Sequence, residues 1–135
     1  MATGGWANAS YKAVSGKPDK DRKFVYSVER QKQGGVGPIP VGEYWINPSE
    51  IWENNWAKSL TTARRSAWGD YRVTIHILPG TNTHGRGGFF IHGGDQAGSA
   101  GCIDLTLSMN NFINDLKKYL EDAPNCHIPL TVKYL

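Results

Sequence analysis

Two side chains of this sequence have the types and spacing to do nucleophilic chemistry together. They are His92 and Cys102, separated by nine residues of which Gly93, Gly94, Gly98 and Gly101 are glycine. A thiol attacks as its thiolate, and near neutral pH an ordinary cysteine is mostly protonated. An imidazole within hydrogen-bond reach of the sulfur can take that proton. The small residues between the two groups let the chain fold back and leave room beside both. Gly101 lets a substrate approach the backbone closely, and the amides of Gly101 and Cys102 are candidates to meet a developing oxyanion. The chemistry expected is acyl transfer through a cysteine. A zinc site built from His92, Cys102, Cys126 and His127 is the bland alternative. It lacks a short Cys-x-x-Cys or His-x-x-x-His spacing, so neither metal nor cofactor is expected.

The elements around these residues follow from periodicity. Phe89 to Ile91 reads as a strand buried on both faces, a stiff platform that delivers His92. Tyr71 to Ile77 alternates and is rich in β-branched residues, which predicts a strand. Lys23 to Val28 and Gly42 to Ile46 also alternate, and a further strand is expected around Tyr11 to Val14. Gly34 to Pro40 is a rigid loop, its two prolines fixing φ. A short helix is predicted from Ser49 as N-cap to about Leu60, with Trp52 and Trp56 on one face. Leu107, Met109, Phe112, Ile113, Leu116, Tyr119 and Leu120 recur at helical spacing, which predicts a helix from Thr106 to about Leu120. Ile128 to Leu135 closes the chain as a strand. Six to eight short strands with one good helix make a mainly β domain, a sandwich or partly open barrel with one or two short helices.

Length and composition set outer bounds. The 135 residues suit one domain spanning 1–135, with a polar segment over 1–22. Hydrophobic residues make up 39% of the chain, enough for a core, and 16 glycines with 7 prolines favour turns and short strands over a helical bundle. The net charge of +3 is scattered, so no nucleic-acid footprint is expected. No apolar stretch approaches the length of a membrane span, and no membrane insertion is expected. The start of the chain lacks a basic region followed by an apolar run, so a cytoplasmic origin without a Sec signal is expected. Cys126 reads as a buried small hydrophobe or as a disulfide partner for Cys102. His76 reads as a packed strand residue, and Trp45, Trp52, Trp56 and Trp68 as core or groove wall.

His92-Gly93 followed by Ser99-Ala100-Gly101-Cys102-Ile103-Asp104-Leu105 resembles the signature of the YkuD-type L,D-transpeptidases. There a histidine-glycine precedes a Ser-x-Gly-Cys element, usually Ser-His-Gly-Cys-Ile-Arg-Leu. The resemblance is closer to the divergent L,D-transpeptidase-like effectors of type VI secretion. Those share the short His-to-Cys interval, a Gly-Pro-Ile-Pro-x-Gly-x-Tyr segment (Gly37 to Tyr44) and a Gly-Arg-x-x-Phe-x-Ile-His-Gly approach (Gly85 to Gly93). It covers about residues 24–135.

The resemblance implies a cysteine enzyme acting on the peptide stem of peptidoglycan after diaminopimelate. The acyl group would pass to water or to an amine, with free D-amino acids as possible acceptors. It implies Cys102 as nucleophile, His92 as base, the Gly93 carbonyl as the group orienting the imidazole, and Ser99 as a pocket residue. It also implies secretion to the periplasm of a target bacterium and a cognate immunity protein. Two departures stand out. Ala100 replaces a second histidine, and Asp104 stands where arginine is usual, removing a substrate-carboxylate contact. Arg86 is the candidate to supply that contact instead, with His84 in the same loop. Asp95 is a turn-capping residue or a contact for a substrate amine. Two other readings compete: a different cell-wall cysteine endopeptidase, in which cysteine usually precedes histidine, and a non-catalytic wall- or partner-binding module.

Overall fold

One mixed sheet of six strands holds the molecule together, in the order β1-β5-β4-β3-β2-β6. The computed structural model describes residues 9–53, 71–94, 98–122 and 127–134. The strands are β1 (Val14–Gly16), β2 (Gly42–Glu53), β3 (Tyr71–Ile77), β4 (Phe90–His92), β5 (Ser99–Asp104) and β6 (Ile128–Val132). The helices are α1 (Val28–Gln31) and α2 (Met109–Asp122). The sheet curls into a half-barrel, the mainly β architecture that the sequence implies.

Side chains alternate across a strand, so register assigns every residue to a face. Ile103 pairs with Ile91, Ile91 with Val73, and Ile46 with Ile75. These residues line the inner face, where α2 lies. Met109, Ile113 and Leu116 of α2 are buried in the same cluster as Ile46, Val73, Ile75 and Ile91. Burying a side chain of that size contributes about 1.5–3 kcal/mol. Tyr11 packs edge-on against Phe112 and donates a hydrogen bond to Asp115, which ties the chain ahead of β1 to α2.

Four local expectations are corrected. Lys23 to Ser27 is not a strand; α1 starts at Val28 because the Ser27 hydroxyl accepts the Arg30 amide as an N-cap. Ser49 does not open a helix, since β2 runs on to Glu53. Asn47 Oδ1 accepts both the amide and the hydroxyl of Ser49, and the register shifts between Ile46 and Ile51. Pro48 sits inside this irregularity, where its missing N–H does no harm. Trp52 therefore lies on a strand; the remainder of the expected helix, with Trp56, lies outside the described residues, as do Trp68 and Cys126. Leu107 is 85% exposed, off the apolar stripe of α2, because 106–108 is a 3-10 turn with a different residue period. The strand expected around Tyr11 to Val14 begins only at Val14.

Candidate active site

The chain leaves β4 at His92, turns back, and returns as β5 alongside β4 in parallel. Parallel neighbours ordinarily need a long crossover. Here only residues 93–98 join them, and small residues make so short a return feasible. Ile91 pairs with Ile103 and His92 with Asp104, which sets Cys102 level with Phe90. Phe90, His92, Cys102 and Asp104 consequently share the outer face. Two residues along and one strand across, the Cα atoms of His92 and Cys102 stand roughly 8 Å apart from strand spacing and rise. Imidazole and thiol on one face can meet across that gap.

His92 is fully buried and its Nδ1 lies 2.9 Å from the Gly93 carbonyl oxygen. A carbonyl only accepts, so Nδ1 carries the hydrogen and Nε2 carries the lone pair of the neutral ring. Gly93 must be glycine, because a Cβ there would lie 2.5 Å from the Met109 side chain and 2.8 Å from the Thr106 carbonyl oxygen. The His92 carbonyl accepts the Leu105 amide at 2.8 Å, fixing the histidine backbone.

Cys102 is a free thiol, 2% exposed. Burial pushes this thiol up from its ordinary pKa. Hydrogen bonds from the Phe90 backbone and the Ser99 side chain pull it down, the Asp104 charge adds to the rise, and the Arg86 charge opposes it. The net direction is upward, which favours the thiol over the thiolate. Gly101 has φ +71, and a Cβ there would lie 2.8 Å from the Phe89 ring and 3.2 Å from Arg86 Nη2. Its amide donates to the Gly37 carbonyl at 2.9 Å. Of the two amides considered for an oxyanion, Gly101's is thus committed to the fold in this structure.

Arg86 serves the loop over residues 37–40. Nη1 donates to the carbonyls of Gln31 at 2.6 Å and Pro38 at 2.7 Å, and Nη2 donates to Gly37 at 2.9 Å. The next two carbonyls are satisfied by tyrosines, Ile39 by Tyr134 and Pro40 by Tyr44. Pro38, Ile39 and Pro40 are buried, and prolines bring no amide that needs a partner. The Gly37-Pro38-Ile39-Pro40 motif is therefore a buried buttress, clamped by Arg86 and bonded to Gly101, the residue before the thiol.

The other site candidates fall at different places. Ser99 opens β5 and reaches Cys102. His84 occupies a turn with φ +56, its amide on Asn82 Oδ1 at 3.0 Å. Asp95 lies outside the described residues. Sequence reasoning treated Asp104 only as a departure from a motif. The structure makes it a fully buried carboxylate level with His92, with Oδ2 accepting the Gly98 amide and Oδ1 the Thr106 amide, each at 2.8 Å. Thr106 has φ +49, a left-handed conformation that costs a β-branched residue about 1–3 kcal/mol. Arg72 was read only as a strand residue. Register sets it level with His92 on the outer face, over the Phe90 ring at 4.8 Å and the Trp52 ring at 5.8 Å. Alternation in β3 was the available signal.

His76 is likewise an outer-face residue, stacked on Trp45 at 4.0 Å and bonded to Glu50 at 2.6 Å, with His127 on the other side of Trp45. Among the described residues, no group of three His, Cys, Asp or Glu side chains could hold a metal ion.

A curled, mainly β half-barrel with a histidine and a Ser-x-Gly-Cys cysteine on neighbouring strands defines the L,D-transpeptidase-like class. The Tlde1 domain family model matches residues 10–131, and the chain belongs to that family of YkuD-related, type VI L,D-transpeptidase-like effector domains. No curated protein matches the chain at a significant level. Membership implies a peptidoglycan substrate and delivery to the periplasm of a target cell. No helix of the described residues is long and apolar enough to cross a membrane.

Proposed function

We propose that this chain is a cysteine L,D-transpeptidase and L,D-carboxypeptidase that opens the diaminopimelate–D-alanine bond of tetrapeptide stems, as an antibacterial effector. The observation that carries this reading is the shared outer face of His92 and Cys102, with the histidine seated on the Gly93 carbonyl so that Nε2 is the basic nitrogen. Burial favours the thiol over the thiolate, and the proton moves from Sγ to Nε2 as sulfur attacks the stem carbonyl. The carbon–nitrogen bond to D-alanine breaks, and the leaving amine takes the proton back from His92. The thioester then passes its acyl group to water, which trims the stem, or to the amine of a free D-amino acid, which exchanges its last residue. Ser99 lies beside the sulfur, and the Cys102 amide is the remaining candidate for the oxyanion. A cognate immunity protein is the expected protein partner.

The test is mass spectrometry of purified disaccharide-tetrapeptides incubated with the protein, with and without added D-amino acids. Tripeptide product, or exchanged product when an acceptor is present, is expected from the native chain and absent with Cys102→Ala. Cleavage on the other side of diaminopimelate would replace this reading with an endopeptidase. No product at all, with tight binding to sacculi, would replace it with a binding module.

A further inference from the structure

The carboxylate of Asp104 bonds two parts of the site and stands level with a third. Register sets it beside His92 on the adjacent strand and the same face. Its Oδ2 holds Gly98, the described residue at which the return loop re-enters, and its Oδ1 holds Thr106, where the chain turns toward α2. The Thr106 carbonyl oxygen in turn packs on Gly93, whose own carbonyl seats the imidazole. Removing the carboxylate would release the left-handed turn at Thr106 and, through Gly93, the seat of the base.

We infer that Asp104 is the positioning residue of this site: it holds the loop and the turn that seat His92, and its negative charge faces the imidazolium formed when Cys102 gives up its proton. This rests on the proposed role of His92 as base. Burial pushes the Asp104 carboxyl up from its ordinary pKa; the two hydrogen bonds accepted from amides and a charged His92 pull it back toward the ionised form. Among the described residues, the other charged and titratable groups around it are few. Cys102 lies two residues back on β5, with Arg86 acting on the thiol. Arg72 stands beyond His92 on β3. Lys12 shares with Asp104 and Thr106 the lining of a cavity of about 340 Å³ on the β1 side. His92 is the group that register sets directly level with the carboxylate. A buried anion level with the ring replaces solvent as the partner of a cation that appears only during reaction.

The test is an NMR titration of the His92 ring in the Cys102→Ala protein, with and without Asp104→Asn. The variant keeps the size of the side chain and removes its charge. Asp104→Asn is expected to lower the His92 pKa by about one unit or more. An unchanged His92 pKa in a folded Asp104→Asn protein would overturn the proposal. Should that variant not fold, the Cys102→Ala protein alone decides. The Asp104 carboxyl and His92 ring resonances are each expected to show the other's transition, and two independent single-step titrations would overturn the proposal. The titration needs no substrate, so its outcome is separate from that of the stem-cleavage assay. A coupled pair in a protein inert toward muropeptides would reject the reaction and keep the pair. Stem cleavage without coupling would keep the reaction and reject Asp104.

Discussion

The two faces of β4 and β5 are held in different ways. On the inner face Ile91 and Ile103 meet Val73 and the α2 stripe of Met109, Ile113 and Leu116, and non-directional packing does the work. On the outer face, one residue away along the same strands, His92 and Asp104 are fully buried yet polar. Each is held by named hydrogen bonds, to Gly93, Gly98 and Thr106. Polar groups out of water must be satisfied one by one. The lesson is that the inner face tolerates exchange of one apolar residue for another, whereas the outer face tolerates almost none.

Variants should separate the faces. Cys102→Ala should remove stem cleavage altogether while leaving thermal stability within about 1 kcal/mol, a volume change smaller than most core truncations. Activity and melting temperature measured on one preparation check both halves. His92→Gln should lower kcat/KM by about 10²–10⁴-fold, the usual contribution of a positioned base. Leu116→Ala on the inner face should cost about 2–5 kcal/mol in urea unfolding. In native buffer its folded fraction should keep the stem-cleavage activity of the native chain. Loss of activity without unfolding would break the contrast between faces.

Smaller effects follow. Gly101→Ala meets both a φ of +71 and the Phe89 ring. A left-handed L-residue alone costs about 1–2 kcal/mol, and the loss in stability should be at least that. The weakest effect is pH. Burial raises Cys102 above its unfolded pKa, so the unfolded chain loses its thiol proton first. Stability is full below the unfolded value of about 8.5 and falls as pH rises above it. Tyr11 and Tyr44, each pushed up to about 12 with burial as the largest cause, extend the fall above the ordinary tyrosine range in the same direction. Urea midpoints across the alkaline range measure it; a rise would contradict the sign.

Much of the site was legible in residue types. Cys102, His92 and the small residues between them stand out because nucleophile chemistry needs few parts. The strands Tyr71–Ile77 and Ile128–Val132 and the helix Met109–Asp122 were legible because their apolar periods are clean. Four features were hidden. Lys23 to Ser27 alternates, but a single Ser27 cap decides for α1. The Trp52 region was misread because a bulge at Asn47 to Glu50 lets β2 continue past Pro48. Arg86 is a candidate substrate contact in the sequence; its hold on three backbone carbonyls far away in the chain has no sequence signal. Such long-range satisfaction of buried carbonyls leaves no periodic trace. Asp104 was hidden for a different reason: its amide partners are near in sequence, but its burial level with His92 appears only once β5 lies beside β4.

The central claim is that Cys102 is acylated by the stem. Intact-protein mass spectrometry after rapid mixing with a disaccharide-tetrapeptide tests it most directly. The account predicts a transient adduct on Cys102 equal in mass to the substrate less D-alanine, with free D-alanine released, and neither signal from Cys102→Ala. Release of D-alanine by the Cys102→Ala protein at the native rate would contradict it.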